Sequence, residues 1–224
     1  MSIKELIYRV LHFRWNWLYE VYVTYKYVDE YTVFPAIHIP KGVKLKITKE
    51  KSAKFIIKKK LILEKWKTEN AYSTISLARN SELLIENDFI IGDGVKISVA
   101  NKGTLILRGK KNDSGSGITA NAVVLVKKHL EIGYDCIIAW DTFITDCDWH
   151  SIEGKSSQID TILGDKVWLG VGAKILKGAN IGSNSIITAN SVVLKGDYPS
   201  KSLLSGSPAK IVQENVPQWH RDLK

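Results

Sequence analysis

A parallel β-helix, an all-β solenoid of short strands and turns wound into stacked coils, is the fold that this 224-residue sequence predicts. Two observations carry it: a six-residue aliphatic beat, and glycine punctuation within that beat. Leu163, Leu169, Ile175, Ile181, Ile187 and Val193 stand six residues apart, and Gly164, Gly170, Gly182 and Thr188 follow four of them directly. The positions four beyond each aliphatic, Val167, Ala173, Ala179, Ser185, Ser191 and Asp197, are mostly small or β-branched. A helix repeats at about 3.6 residues and a half-buried strand at about 2, so neither explains the beat. One coil cannot bury its inward aliphatics alone; stacked coils share a core and pair their backbones.

Along the chain, residues 1–40 come first, with the aromatic and basic run "IKELIYRVLHFRWNWLYEVYVTYKYV". Leu6, Ile7, Val10, Leu11, Trp17 and Leu18 fall approximately on one helical face. This segment reads as a cap on the solenoid end, or as an interfacial helix with Trp and Tyr at the headgroups and basic residues against anionic lipid. The solenoid is expected over residues 41–205, with a tail over 206–224. The beat shows at Ile85, Ile91 and Ile97 and returns at Ile132, Ile138 and Ile144. Between these runs "KKNDSGSG" lacks the Lys-Ser/Thr ending of a P-loop and reads as a turn. Inside "TDCDWHSIEGKSSQID" the beat stops. The repeat from Ile144 ends at Trp149 and the next begins at Leu163, which leaves an excursion over 150–162 with His150 at its base.

The composition, 45% hydrophobic and 25% charged, is that of an ordinary soluble chain. No apolar run reaches the roughly 18 residues of a membrane span, and no charged-then-apolar leader is present, so a cytoplasmic protein is expected. The two cysteines, Cys136 and Cys147, are too few for a disulfide framework and fit no zinc pattern. The net charge is +9, and residues 1–67 hold 15 Lys/Arg against 6 Asp/Glu while the remainder holds 17 of each. The whole excess therefore lies in the first third. It reads as a solvated lysine-rich strand surface, or as peripheral contact of residues 1–67 with the inner face of a membrane. No nucleic-acid module accompanies it, so no nucleic-acid partner is expected.

Three stretches, "EIGYDCIIAWDTFITDCDWHSI", "ILGDKVWLGVGAKILKGANIGSNSIITANSVVLKG" and "LLSGSPAKIV", carry an ordered set of motifs. These are V-W-[IL]-G, I-L-K-G, I-G-x-x-S, A-x-S-V-V and a Gly-x-Pro-Ala-[KR] exit. Through them residues 75–212 resemble the left-handed β-helix, hexapeptide-repeat acyltransferases. The likeness is greatest to the O-acetyltransferases of bacterial sugars and surface polysaccharides, relatives of the galactoside and maltose acetyltransferases. The resemblance implies a triangular prism with three hexapeptides per coil, a homotrimer, and acetyl-CoA in a groove between subunits, with no metal. The left hand comes from the resemblance alone, since ordinary parallel crossovers are right-handed.

The resemblance also explains the broken beat. In that family a loop leaves the coil and a histidine at its base faces the acyl donor; the matching residue here is His150. A neutral imidazole can take the proton of a sugar hydroxyl as its oxygen attacks the thioester, then return it to the departing sulfur. The thioester supplies the leaving group, so no acyl-enzyme is needed. The oxyanion is expected to meet a backbone N–H around Gly170–Gly172. Asp146 and Asp148 form D-x-D-x-H with His150; one could hold the imidazole tautomer and the other an acceptor hydroxyl, with turn chemistry as the plainer role. Trp140 and Trp149 could stack on a sugar ring or pack beneath the loop.

For the donor, Trp168 matches the family tryptophan near the pantetheine arm, followed by Gly170, Gly172 and Ala173. Ala189 matches the small residue past which that arm runs. Leu194 stands where galactoside-type enzymes often carry Thr. Lys195 and Lys210 match basic positions associated with the CoA phosphates, Lys210 in place of an Arg and without its bidentate geometry. Together these imply an acetyl-CoA-dependent O-acetyltransferase acting on a cell-surface glycan or its precursor. Three other readings stand beside it. One is N-acetylation of a nucleotide-linked amino sugar, and another is a non-catalytic scaffold. The third, a metal hydratase of the carbonic anhydrase type, lacks a second histidine near His150 in sequence.

Overall fold

The computed structural model describes residues 15–66, 71–113 and 115–221. Among them one helix, α1 (Trp15–Tyr27), precedes twenty-four strands, β1 to β24 in chain order. The first coil contributes β1 (Glu30–Tyr31), β2 (Ile37–His38) and β3 (Lys44–Lys49) to three different sheets. Up to β23, every third strand then returns to the same sheet and pairs in parallel with its predecessor. The three sheets, of eight, nine and seven strands, form walls A, B and C of a prism with seven complete coils and an eighth begun. The helix is left-handed, the rare hand for parallel crossovers.

The beat is the inward row. Leu163, Leu169, Ile175, Ile187 and Val193 are fully buried and Ile181 nearly so, with Val167, Ala173, Ala179, Ser185 and Ser191 buried behind them in the corners. In-register partners, such as Ile132 with Leu163 and Leu163 with Ile181, place each aliphatic on the one below. The corners need left-handed backbone. Asp135, Lys166, Asn184 and Lys201 supply it between walls A and B, and Asn121, Asp141, Gly172 and Asn190 between walls B and C. Asn, Asp and Gly tolerate that conformation best.

The first end is closed by α1. Thr24 Oγ1 accepts the N–H of Ala36 at 3.1 Å and of Ile37 at 3.3 Å, and the buried Glu20 carboxylate accepts that of Ile39 at 3.0 Å. Val23 and Val28 complete the core there. Trp17, Leu18, Tyr22 and Tyr25 stay exposed on α1, while Leu6, Ile7, Val10 and Leu11 lie outside the described residues. No described helix is long and apolar enough to cross a membrane.

The other end closes with an antiparallel pair, β23 (Leu203–Gly206) and β24 (Ala209–Gln213). The tail then runs back along the corner between walls A and B. Val216 N–H meets Lys201 O at 2.9 Å, Trp219 Nε1 meets Lys166 O at 2.9 Å, and an Arg221 amino group donates to Gly115 O at 2.8 Å.

Candidate active site

Strand β15 (Phe143–Thr145) ends on wall C, and β16 (Thr161–Leu163) resumes on wall A. Residues 146–160 between them leave the coil at its corner. The coil continues beneath as though uninterrupted, with Leu130 opposite Thr161 and Ile132 opposite Leu163. The excursion thus begins four residues before the expected 150–162, and Ile162 belongs to a strand. It is a folded hairpin. Cys147 bridges Gln158 and Ile152 bridges Lys155, Asp148 N–H meets Ser157 O at 2.8 Å, and Gly154 turns the tip at φ +73°.

Asp146 pins the loop to the coil below. It is wholly buried, and its carboxylate accepts the N–H of Lys127 at 2.6 Å, Lys128 at 2.7 Å and His129 at 2.8 Å. The Gln158 amide adds a fourth contact at 3.3 Å. With both oxygens engaged on backbone, Asp146 does not fit the orienting or acceptor-binding role that its spacing suggested. Lys177 pins the loop from the coil above, donating to the Asp148 carboxylate and to the Ser156 carbonyl. The motif I-L-K-G contains this lysine, but its rhythm gave no hint that the side chain crosses to the loop.

Trp149 takes φ +65°, an unusual conformation for a bulky side chain. Its N–H faces Cys147 Sγ at 3.2 Å and its indole N–H faces Thr145 Oγ1 at 3.3 Å, so the ring is tied to the loop base while 41% of it remains exposed. This turn throws the next residue outward. His150 is exposed, and among the described residues nothing hydrogen-bonds its imidazole. Asp148, two residues away and partly exposed, is the carboxylate of the pair with freedom to turn, once it leaves Lys177.

The residues expected at the donor are divided between two corners of the prism. Trp140, Gly170, Gly172 and Ala189 line up at the corner between walls B and C, where Gly172 N–H meets Trp140 O at 2.9 Å. His150, Lys177, Leu194 and Lys195 line up at the corner between walls C and A. Gly172 and Lys177 are five positions apart along strand and turn, roughly 16 Å at extended rise. A single chain therefore does not bring the two groups together.

Two donor expectations change. Ala173 is fully buried in the core. The solenoid has its own need for both glycines: a Cβ at Gly170 would lie 2.6 Å from the backbone Ala189 N, and Gly172 turns the corner at φ +69°. Their amides are also engaged, Gly170 with Ile187 O at 2.8 Å and Gly172 with Trp140 O, so neither of these two N–H groups is free for an oxyanion. Ala189, Leu194, Lys195 and Lys210 are exposed. Among the described residues, neither lysine is in an ion pair.

Trp168 lies on wall B in an outward row with Ile62, Ile90, Gly117, Ile137, Ile186 and Leu203, apolar until it reaches His38 at the capped end. Trp219 of the tail tilts against it, with ring centroids 6.0 Å apart. The tail gave no periodic signal, and this contact was not legible in sequence.

Beside this left-handed prism with its ordered corner loop, residues 160–195 match the family "Bacterial transferase hexapeptide (six repeats)". The match begins where the loop ends. The polysialic acid O-acetyltransferase of Escherichia coli O1:K1 / APEC is 36% identical over 124 residues, 53% of this chain and 39% of that protein, so the chain spans about two fifths of this relative's length. Two solved structures share the fold. The polysialic acid O-acetyltransferase OatWY has TM-score 0.60 and 24% identity, covering 88% of this chain and 90% of its own. The polySia-specific acetyltransferase NeuO has TM-score 0.54 and 23% identity, covering 80% and 90%.

Proposed function

We propose that this protein transfers an acetyl group from acetyl-CoA to a sugar hydroxyl of a cell-surface glycan or its precursor, with His150 as general base. The observation that carries the reading is the ordered corner loop, built by buried anchors at its neck and presenting an exposed imidazole two residues along the chain from Asp148. The named activity of the matched relative supports acetyl transfer. The acceptor oxygen attacks the thioester carbonyl carbon as Nε2 or Nδ1 of His150 takes its proton. The C–S bond then breaks, and the imidazolium returns the proton to the CoA sulfur, leaving an O-acetyl ester and free CoA.

The site needs a second copy of the chain. His150 and the Trp168–Ala189 side of the prism lie on different corners, and the apolar stretch of the outward row of wall B from Ile137 to Leu203 suits contact with a neighbouring subunit. A trimer sets one copy's loop against another's wall. Exposed Lys195 and Lys210 suit the CoA phosphates, and the exposed Ala189 leaves room for the pantetheine arm.

The test is acetyl-CoA titration followed by turnover with His150→Ala. Removal of a positioned base is expected to lower kcat by about 10²–10⁴ while donor affinity stays within about twofold. Full turnover by His150→Ala would remove the base assignment. An assembled wild-type protein that binds no acetyl-CoA would leave only a scaffold.

A further inference from the structure

Between α1 and wall C, at the first two coils, lies a cleft of about 310 Å³ lined by Tyr19, Tyr22, Tyr27 and Tyr72 together with Lys46. Ammonium groups stand against these rings. Lys26 Nζ is 5.2 Å from the Tyr22 centroid and 5.1 Å from that of Tyr27, and Lys44 Nζ is 4.9 Å from that of Tyr72. Burial raises the pKa of Tyr19, with the neighbouring tyrosines adding to the effect, so this phenol stays neutral near pH 7. The cleft therefore offers aromatic faces, hydroxyl groups and positive charge, with nothing anionic among its lining residues.

The charge continues out of the cleft. Wall C consists of β3, β6 (Tyr72–Leu77), β9 (Lys96–Val99), β12 (Val123–Val126), β15, β18 (Lys174–Ile175) and β21 (Val192–Val193). These strands contain Lys44, Lys46, Lys49, Lys96 and Lys174 and no Asp or Glu, with Lys49 paired to Asp29 at 2.9 Å. In-register pairing sets Lys46, Thr74, Lys96, Val123, Phe143 and Lys174 side by side in one outward row along the prism. With strands about 4.8 Å apart, the row covers about 19 Å from β3 to β15, the strand from whose end the His150 loop departs.

We infer that the tyrosine cleft and the lysine row of wall C bind an extended, carboxylate-bearing polysaccharide and hold it alongside the His150 loop. The inference rests on the glycan-acceptor reading above. Tyrosine rings take the apolar faces of sugars while their hydroxyl groups exchange hydrogen bonds with sugar hydroxyls. A line of lysines without intervening acids raises the local concentration of a polyanion. The site is concave and linear, which suits a polymer chain better than a flat bilayer; the exposed Trp17, Leu18 and Tyr25 of α1 are not among the cleft's lining residues.

The test is binding, without acetyl-CoA, of the full-length protein and its His150→Ala variant to three probes. These are carboxylated polysaccharides (polysialic acid and polygalacturonic acid), neutral dextran of equal length, and phosphatidylcholine–phosphatidylglycerol vesicles. Saturable, salt-sensitive binding of a carboxylated polymer is expected, equal in His150→Ala and absent for dextran. Tyr22→Ala/Tyr72→Ala and, separately, Lys46→Glu/Lys96→Glu are each expected to weaken it about tenfold, which is about 1.4 kcal/mol. All four positions are exposed, so the variants keep the core. Unchanged polymer affinity in both variants, equal binding of dextran, or loss confined to vesicles would overturn the inference. Cleft-dependent polymer binding without acetyl transfer to any acceptor would sink the transferase reading and leave this site standing. Acetyl transfer with cleft-independent binding would do the reverse.

Discussion

Replacing Asp146 by Ala tests what the first carboxylate of D-x-D-x-H does. In the structure its side chain is wholly buried and accepts three backbone N–H groups at 2.6–2.8 Å. Hydrogen bonds to a charged group contribute about 1.5–3 kcal/mol each, and a buried donor left without a partner costs about 1–3 kcal/mol. Lys127 and Lys128 are exposed, so water can reach part of the vacated space. A loss of about 3 kcal/mol follows, well below the simple sum. For a domain of this size that lowers Tm by about 6–12 °C. Asp148→Ala is the control, because it breaks only a partly exposed ion pair with Lys177, worth under about 1 kcal/mol. Thermal melts by circular dichroism, with limited trypsinolysis reporting on the loop at Lys155, read both variants. If Asp146→Ala melts within about 2 °C of wild type while its pH–rate profile moves, the carboxylate serves the imidazole and the reasoning is wrong.

Two further outcomes follow from shifted ionisations. Burial pushes the Cys136 thiol up to about 12, so maleimide at pH 8 is expected to leave it unlabelled until guanidinium unfolds the chain; rapid native labelling, read by peptide mass spectrometry, would show that the middle coils, where β13 (His129–Tyr134) turns into β14 (Ile137–Ile138), open readily. The Arg108 guanidinium, 2.7 Å from Glu86, holds that carboxyl below its ordinary range, and the Tyr134 hydroxyl adds a bond at 2.9 Å. A depressed carboxylate stabilises the fold fully above its unfolded pKa and loses that contribution as pH falls through the folded value. Glu86→Gln is therefore expected to be less stable at pH 7 and to lose less than wild type on acidification below about pH 4; parallel acid-unfolding curves would contradict this.

What the sequence disclosed depended on how regular each coil is. Leu163 and its partner Ile181 are 18 residues apart, three hexapeptides, and there the beat is plain. The partners Ile57 and Ile85 are 28 apart, Ile85 and Leu107 are 22, and Leu107 and Ile132 are 25. Those coils use strands of up to six residues with alternating burial, as in Thr104–Gly109, so their signal has period two locally and no fixed period between coils. The loop was legible as a missing beat, but its neck was not. Asp146 and Cys147 occupy positions that a continuing turn would also fill, and only tertiary contacts show that the chain has already left the wall. The separation of His150 from Trp168 and Ala189 was equally hidden, because hexapeptide number fixes a residue's corner only after the insertions are counted. The cleft under α1 depends on residues far apart in sequence, Tyr22 and Tyr72, which no local pattern joins.

The buried acids show why D-x-D-x-H looked like a catalytic spacing. Four carboxylates are buried among the described residues, Glu20, Asp93, Asp135 and Asp146, and each accepts backbone N–H groups where the chain departs from regular coils. Glu20 takes Ile39 N–H at the capped end. Asp93 takes Trp66 N–H at 2.7 Å, beside the long connection before β6. Asp135 takes Lys111 N–H at 2.7 Å and Asn112 N–H at 2.9 Å, in the "KKNDSGSG" insertion. Asp146 takes three at the base of the His150 loop. An insertion pulls backbone amides away from the next coil's carbonyls, and a donor left unpaired near the core is costly. A carboxylate from an adjacent coil can replace several carbonyls at once, because it offers about four acceptor sites on two oxygens. The aspartate nearest a histidine at such a loop is therefore first a requirement of the solenoid. In this chain that accounts for Asp146 and leaves Asp148 as the acid whose role chemistry can set.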